Sequence, residues 1–307
     1  MDIYTTMITP YKNDGSIDYD TVRKYVDWYF EKGLTGIFSV CQSSEIFWLS
    51  TEEKAELNRV VYTRAKELEA KHGRSFTVIS SGHTSDTIDE QARELNAVWQ
   101  SGTEALILIT NRLDPNNEGD DVFIRNAEEL ISKLPPEAKL GLYECPYPYK
   151  RLVTEKILKW CLSTGRFYYM KDTCCDAAMM AERCHILEGS HFKLMNANCQ
   201  TLLESVRNGA HGYCGIMVNF HPELYVWLSE NYLSDSKKAD DVQALIGTVG
   251  FTEVGLPYPL TAKYHMCLEG IETENYARNR KSEELTPYAM DCMRQMRLLC
   301  KNVYNSL

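Results

Sequence analysis

The chain has 307 residues, 44% of them hydrophobic and 25% charged, which is the composition of an ordinary globular protein with ample material for a core. That length fits two average domains or one large α/β barrel. A formal net charge of -10 argues against nucleic acid or an anionic membrane surface as the main partner, although a local cluster of donors can still bind an anionic small molecule.

The cysteines number 11, an odd count at irregular spacing, and do not read as a secreted disulfide framework. No leader pattern precedes Asp2, and no apolar run approaches the roughly 20 residues that a membrane helix needs. The expectation is a cytoplasmic protein with reduced thiols.

In chain order, the first candidate strand is 2–8 (DIYTTMI). It is followed by a helical period in which Val22, Tyr25, Val26 and Tyr29 fall on one face and Gly33 supplies the stop. The second strand, 36–41 (GIFSVC), leads to Ser50-Thr51-Glu52-Glu53, a capping-box spacing, with Leu57, Val61, Ala65 and Leu68 sharing the face beyond it. Further strands are expected at 76–81, 105–110, 139–145, 167–173, 192–198 and 212–217. Several are near-continuous apolar runs, as parallel strands covered on both faces should be. Strands that alternate with helices in this way predict an α/β fold, a closed (β/α)8 TIM barrel. A doubly wound sheet would favour a glycine-rich phosphate turn after its first strand, and TPYKNDGSID is not one. Strand signals fade after residue 235. Helical patterns at 236–249, 258–269 and 284–301 predict a C-terminal helical extension (236–307) packed on a catalytic barrel (1–235).

Reactive groups in such barrels sit at the C-terminal ends of the strands. Four places stand out there: Gln42-Ser43-Ser44-Glu45 after strand two, Tyr143 in strand five, Lys171-Asp172-Thr173 in strand six and Cys214 in strand eight. The segment FYYMKDTCCD begins like a buried strand and then presents a lysine. Burial disfavours an ammonium, and the neutral amine is the form that attacks a carbonyl to make an imine. The alternative is that Lys171 snorkels to the rim or pairs with Asp172 or Glu45. Tyr143, one strand away, can relay protons to a carbinolamine oxygen, or it can be a core tyrosine with a satisfied hydroxyl. Ser43 and Ser44 can hold a carboxylate, or simply turn the chain. Cys41, Cys145 and Cys214 read as buried small hydrophobes. No metal-ligand spacing, P-loop, nucleophile elbow or dinucleotide fingerprint is present, so no metal is expected.

With these residues in order, the chain resembles the dihydrodipicolinate synthase/N-acetylneuraminate lyase family of class I aldolases over essentially its full length. TTMITPYKNDGSIDYDTVRKYVDWYFEKGLTGIF resembles the first βα unit of that family, and SVCQSSEIFWLSTEEK stands at its Gly-Thr/Ser-Thr-Gly-Glu loop. GLYECP stands at its tyrosine motif, YYMKDT at its imine-forming strand, GAHGYCGIMVNFHP at its strand eight and LPYPLTAKYHMCLEG at its C-terminal helical pass. The resemblance implies that Lys171 forms a Schiff base with pyruvate or another 2-oxo acid and that Tyr143 shuttles the proton. Ser43 and Ser44 would hold the carboxylate, and Gln42, Thr173 and Cys214 would complete the substrate wall. It also implies a homo-oligomer, commonly a tetramer, and no cofactor beyond the covalent lysine imine.

The departures from the family narrow the reading. Cys41-Gln42-Ser43-Ser44-Glu45 places a glutamine where the family has a small hydroxyl residue. ITNRLDP after strand four lacks the second tyrosine of dihydrodipicolinate synthases, and Pro148 stands at their arginine position, with Lys150 and Arg151 close behind. Both losses argue against that synthase proper. Asn198, Cys199 and Gln200 replace the acidic residues of sialate lyases. Lys171-Asp172-Thr173 looks more like the sugar-acid aldolases, and Arg112 is a candidate for a second anionic group. The expectation is therefore a carbon–carbon lyase. The rivals are a sugar-acid dehydratase using the same imine, and a non-catalytic 2-oxo acid sensor.

Overall fold

The computed structural model describes the backbone of residues 1–307 and the side chains of all but 252–254. Eight strands follow one another in space as they do in sequence and close into a parallel barrel. They are β1 (Asp2–Thr6), β2 (Gly36–Phe38), β3 (Thr77–Ser80), β4 (Ala105–Ile109), β5 (Leu140–Tyr143), β6 (Phe167–Asp172), β7 (Lys193–Asn196) and β8 (Gly212–Gly215). The helices between and after them are α1 (Tyr19–Glu31), α2 (Thr51–His72), α3 (Ile88–Gln100), α4 (Thr110–Leu113), α5 (Asp120–Ser132) and α6 (Glu155–Thr164). Then come α7 (Ala177–Leu187), α8 (Leu202–Arg207), α9 (Pro222–Asn231), α10 (Ser236–Val254), α11 (Leu260–Leu268) and α12 (Pro287–Tyr304). Among the described residues, no helix is long and apolar enough to cross a membrane.

The local chemistry behaves as the sequence predicts. Ser50 Oγ accepts from Glu53 N at 3.2 Å while Glu53 Oε2 accepts from Ser50 N at 2.9 Å, so two orphan donors at the start of α2 are satisfied reciprocally. Val22, Tyr25, Val26 and Tyr29 of α1 are all buried against the barrel. Every residue of β4 is buried, as a strand sandwiched between barrel interior and helices must be.

Strand ends differ from the sequence reading in one direction. Met7 and Ile8 continue the apolar run of β1 and are fully buried, yet they lie beyond its ladder. Hydrophobicity reports burial, not strand pairing, and the loops at this end of the barrel are covered.

The cover comes from the C-terminal helices. Ala239, Val242 and Ile246 of α10, Met266 of α11 and Met293 of α12 belong to the same apolar core as the barrel helices. Leu260, Ala277, Leu285 and Ala289 form a second small cluster that seats the connection between α11 and α12. α11 and that connection reach back to the loop after β2 and the start of α2. Lys263 Nζ pairs with Glu45 Oε1 at 2.9 Å, and Arg278 Nη2 pairs with Glu53 Oε1 at 2.6 Å.

Candidate active site

β5 and β6 are adjacent and parallel, and their register sets Tyr143 opposite Lys171 at the C-terminal ends of both strands. Lys171 is only 7% exposed. Its Nζ lies 4.2 Å from the centroid of the Tyr143 ring and 5.9 Å from that of Phe38. Ring faces attract a cation, so the two rings are favourable neighbours for the lysine head group. Among the described residues no carboxylate pairs with that Nζ. The two partners that the sequence offered are engaged elsewhere: Asp172 with Arg183, and Glu45 with Lys263.

Behind the lysine, Arg183 of α7 joins the ends of the two strands. Its guanidinium pairs with Asp172, which follows Lys171, and with Glu144 Oε1, which follows Tyr143, the latter at 2.7 Å. Glu144 also accepts from Val153 N and Thr173 N, each at 2.8 Å. All three charged side chains are buried. Residues alternate across a strand, so those flanking Tyr143 and Lys171 point away from the pocket and can be tied together from outside.

Tyr143 OH donates to Gln42 Oε1 at 3.2 Å, and Cys145 Sγ donates to the same oxygen at 3.5 Å. Complete burial holds the Tyr143 phenol well above its ordinary range, so the hydroxyl stays protonated and acts as a donor. Burial also pushes the Cys145 thiol up to about 11 and the Cys214 thiol up to about 12, which keeps both protonated and poor nucleophiles.

The loop after β2 forms two short 3-10 turns, the first of which is Gln42–Ser44. The first N–H groups of such a turn have no acceptor within it. Ser43 faces the pocket, with Oγ donating to Thr6 Oγ1 at 3.1 Å. Ser44 does not. It is fully buried, donates to Met7 O and Ser39 O at 3.0 and 2.5 Å, and accepts from Cys41 N at 3.0 Å. The expected substrate contact through Ser44 is therefore replaced by a structural role: its hydroxyl pins the turn. Glu45 follows in the left-handed region with φ 64°, a conformation costing about 1–3 kcal/mol for a non-glycine residue. The carboxylate holds it there by accepting from Lys263 Nζ, Arg278 N and Asn279 N.

These elements enclose a cavity of about 480 Å³ at the barrel mouth. Gln42, Ser43, Tyr143, Lys171 and Thr173 line it together. The Thr173 hydroxyl donates to Glu144 O at 2.7 Å, so it presents lone pairs to the cavity more readily than its proton. Cys214 is a correction. It is fully buried beneath the floor, and Gly215 and Ile216 line the wall in its place. Arg112 is absent from the wall too, because its Nη1 is turned to Thr84 O at 3.3 Å and Asp86 at 3.5 Å. Of the two basic residues after β5, Lys150 lines the cavity, whereas Arg151 is buried against Asp114 and Asp120.

Sequence reasoning missed the far wall. Tyr258, Pro259, Asn279 and Arg280 reach it from the C-terminal segment, which the sequence marks only as a helical appendage. The one available signal was the basic run ARNRK at 277–281 in an otherwise acidic chain.

A closed parallel barrel with an unneutralised lysine beside a tyrosine, at adjacent strand ends, defines the class: a barrel with an amine-centred pocket at its mouth. Residues 1–70 match the family model described as the Dihydrodipicolinate synthetase family. A 4-hydroxy-tetrahydrodipicolinate synthase of Anaplasma marginale is 24% identical over 274 residues, which cover 87% of this chain and 85% of the relative. A solved dihydrodipicolinate synthase of Bacillus anthracis superposes with a TM-score of 0.83 at 18% identity, covering 97% of each chain. The N-acetylneuraminate lyase of Proteus mirabilis gives a TM-score of 0.83 at 17% identity, over 97% of this chain and 98% of the other. The chain is thus similar to dihydrodipicolinate synthases over most of its length and has the (β/α)8 fold of the solved synthase and lyase.

Proposed function

We propose that the chain is a Schiff-base-forming class I aldolase or lyase that acts on pyruvate or another 2-oxo acid. The observation that carries this reading is Lys171: buried, flanked by the Tyr143 ring at 4.2 Å and given no carboxylate partner among the described residues. Amines kept this way suit imine formation.

The amine of Lys171 adds to C2 of the 2-oxo acid. Tyr143, a donor in the resting site, protonates the carbinolamine oxygen, which leaves as water and yields the protonated imine. The C3–C4 electron pair of a 4-hydroxy-2-oxo acid then moves into that imine as an enamine, while the C4 hydroxyl loses its proton and becomes an aldehyde. Protonation at C3 and hydrolysis release the 2-oxo acid and restore the amine. The substrate carboxylate finds the N–H groups of Gln42 and Ser43 at the start of their turn, which have no acceptor among the described residues, with the Ser43 hydroxyl beside them. No step requires a metal, because the protonated imine withdraws the electrons. A homo-oligomeric assembly in the cytoplasm belongs to the same reading.

The synthase activity named for the curated relatives is the less favoured alternative. Thr110–Leu113, where those enzymes would add a hydroxyl to the relay, folds as α4 and contributes nothing to the cavity wall. Asn111 of this helix is spent on the carbonyls of Cys145, Tyr147 and Tyr149.

Sodium borohydride reduction in the presence of pyruvate, read by peptide mass spectrometry, tests the reading. A reduced adduct on Lys171 that is absent from Lys171→Ala supports it. No adduct with pyruvate or any of a panel of 2-oxo acids overturns it in favour of a sensor. Product analysis on sugar acids then separates cleavage to an aldehyde from loss of water.

A further inference from the structure

The charges on the cavity wall do not match those of the chain. The protein carries 43 acidic residues and 33 basic ones, yet among the described residues the wall holds Lys150, Lys171 and Arg280 and no carboxylate. Taking Lys171 as the imine-forming group and the turn at Gln42–Ser44 as the seat of the 2-oxo carboxylate leaves two cations unused.

Neither of them is locked into a strong pair. Lys150 Nζ donates to Thr173 O at 2.7 Å, a neutral acceptor that orients the ammonium without cancelling its charge. Arg280, which lines the cavity, contacts Glu284 at 2.9 Å through Nη1 and Tyr258 O at 3.4 Å through Nε, and among the described residues Nη2 has no acceptor. Its bridge to Glu284 is an exposed i,i+4 pair, of a kind worth well under about 1 kcal/mol, so a ligand oxyanion can displace it. The guanidinium fork matches an oxyanion in bidentate fashion, which an ammonium cannot do.

We infer that this site takes a dianionic substrate: a 2-oxo acid whose far end carries a second oxyanion, carboxylate or phosphate, bound by Arg280 of the C-terminal segment with Lys150 beside it. This rests on the reading of the pocket as a 2-oxo acid site. It gives the C-terminal segment a part in substrate choice, since Glu45 anchors Asn279 N and so fixes the stretch that carries Arg280.

Isothermal titration calorimetry on the intact protein tests the inference, with 2-oxoglutarate and 2-oxoadipate as diacids and 2-oxohexanoate as the singly charged control. The better diacid is expected to bind about tenfold or more tightly than the control, a preference typical of one charge-assisted bidentate contact. That ratio is expected to fall to within about twofold in Arg280→Gln and to shrink in Lys150→Gln, whose exposed position makes misfolding no concern. Competition by inorganic phosphate against acetate tells which oxyanion the subsite prefers. Equal binding of diacid and control, binding of neither diacid, or a preference untouched by both substitutions overturns the inference. Borohydride trapping is scored separately. A diacid preference without a Lys171 adduct would sink the imine reading and leave the second anion site standing, and an adduct without preference would do the reverse.

Discussion

Gln42 and Tyr143 meet across the barrel mouth, with the phenol donating to the amide oxygen at 3.2 Å. An amide oxygen accepts a hydrogen bond but has no proton of its own to pass on. Gln42 therefore orients the phenol without extending a relay, and Tyr143 must exchange its proton with the substrate or with water in the cavity. Gln42→Met, which keeps length and removes the acceptor, is expected to slow adduct formation with pyruvate about tenfold, and Tyr143→Phe about a hundredfold or more. Rapid-quench borohydride trapping measures both rates. Equal rates in wild type and Tyr143→Phe would remove the tyrosine from the mechanism.

Neighbouring serines should behave differently. Ser43→Ala removes a hydroxyl that faces the cavity and is expected to raise the half-saturating pyruvate concentration by roughly threefold to tenfold, with little effect on unfolding. Ser44→Ala leaves Cys41 N without its acceptor and strips the turn of its pin, at an expected cost of about 1–3 kcal/mol in urea denaturation. A Ser44 variant as stable as wild type would contradict the structural role.

Arg183 serves two carboxylates that are otherwise buried. Removing one partner of such a cluster is expected to cost about 3–5 kcal/mol, so Arg183→Met should be severely destabilised. Arg183→Lys keeps the charge and loses the fork that spans Glu144 and Asp172. It should fold and still trap pyruvate more slowly, because the strand ends carrying Tyr143 and Lys171 are no longer held by one rigid group. A stable Arg183→Met variant with unchanged trapping would refute the clamp.

Acid sensitivity should come in part from His83. Its Nε2 accepts from Ile109 N at 2.6 Å, so Nδ1 carries the proton and faces Gln91 Oε1 at 2.8 Å. Burial pushes this imidazole down from 6.5 to about 4. The unfolded chain thus binds a proton between those values that the folded chain refuses, and stability present above pH 6.5 declines as the pH falls toward 4. His83→Met should remove about 2 kcal/mol of the decline between about pH 7 and 5. Urea midpoints across that range measure it, and a slope identical to wild type would exclude His83 as a source.

Much of the barrel was legible in the sequence because its determinants are local. The capping box at Ser50, the apolar face of α1 and the unbroken apolar run of β4 each report on their own segment, and consecutive strands of a parallel barrel are neighbours in space. That last property is why the sequence alone pairs Tyr143 on the fifth strand with Lys171 on the sixth. Strand limits were less legible, since Met7 and Ile8 are as apolar and buried as the ladder they follow.

Side-chain direction at the strand ends was not written locally. Ser43 and Ser44 are the same residue type one position apart, and only the turn decides that one faces the cavity and the other pins the backbone. Cys214 is fully buried, while Gly215 and Ile216, next along the chain, line the wall. Contacts remote in sequence were less legible still: Lys263 with Glu45, and Arg280 in the wall of the cavity that Lys171 lines. The sequence by itself determined the barrel, the order of its strands and the meeting of lysine and tyrosine, all of which follow from periodicity and chain order. Only the tertiary structure decided what surrounds that pair, because groups brought together from segments 101 and 233 residues apart leave no pattern in either segment alone.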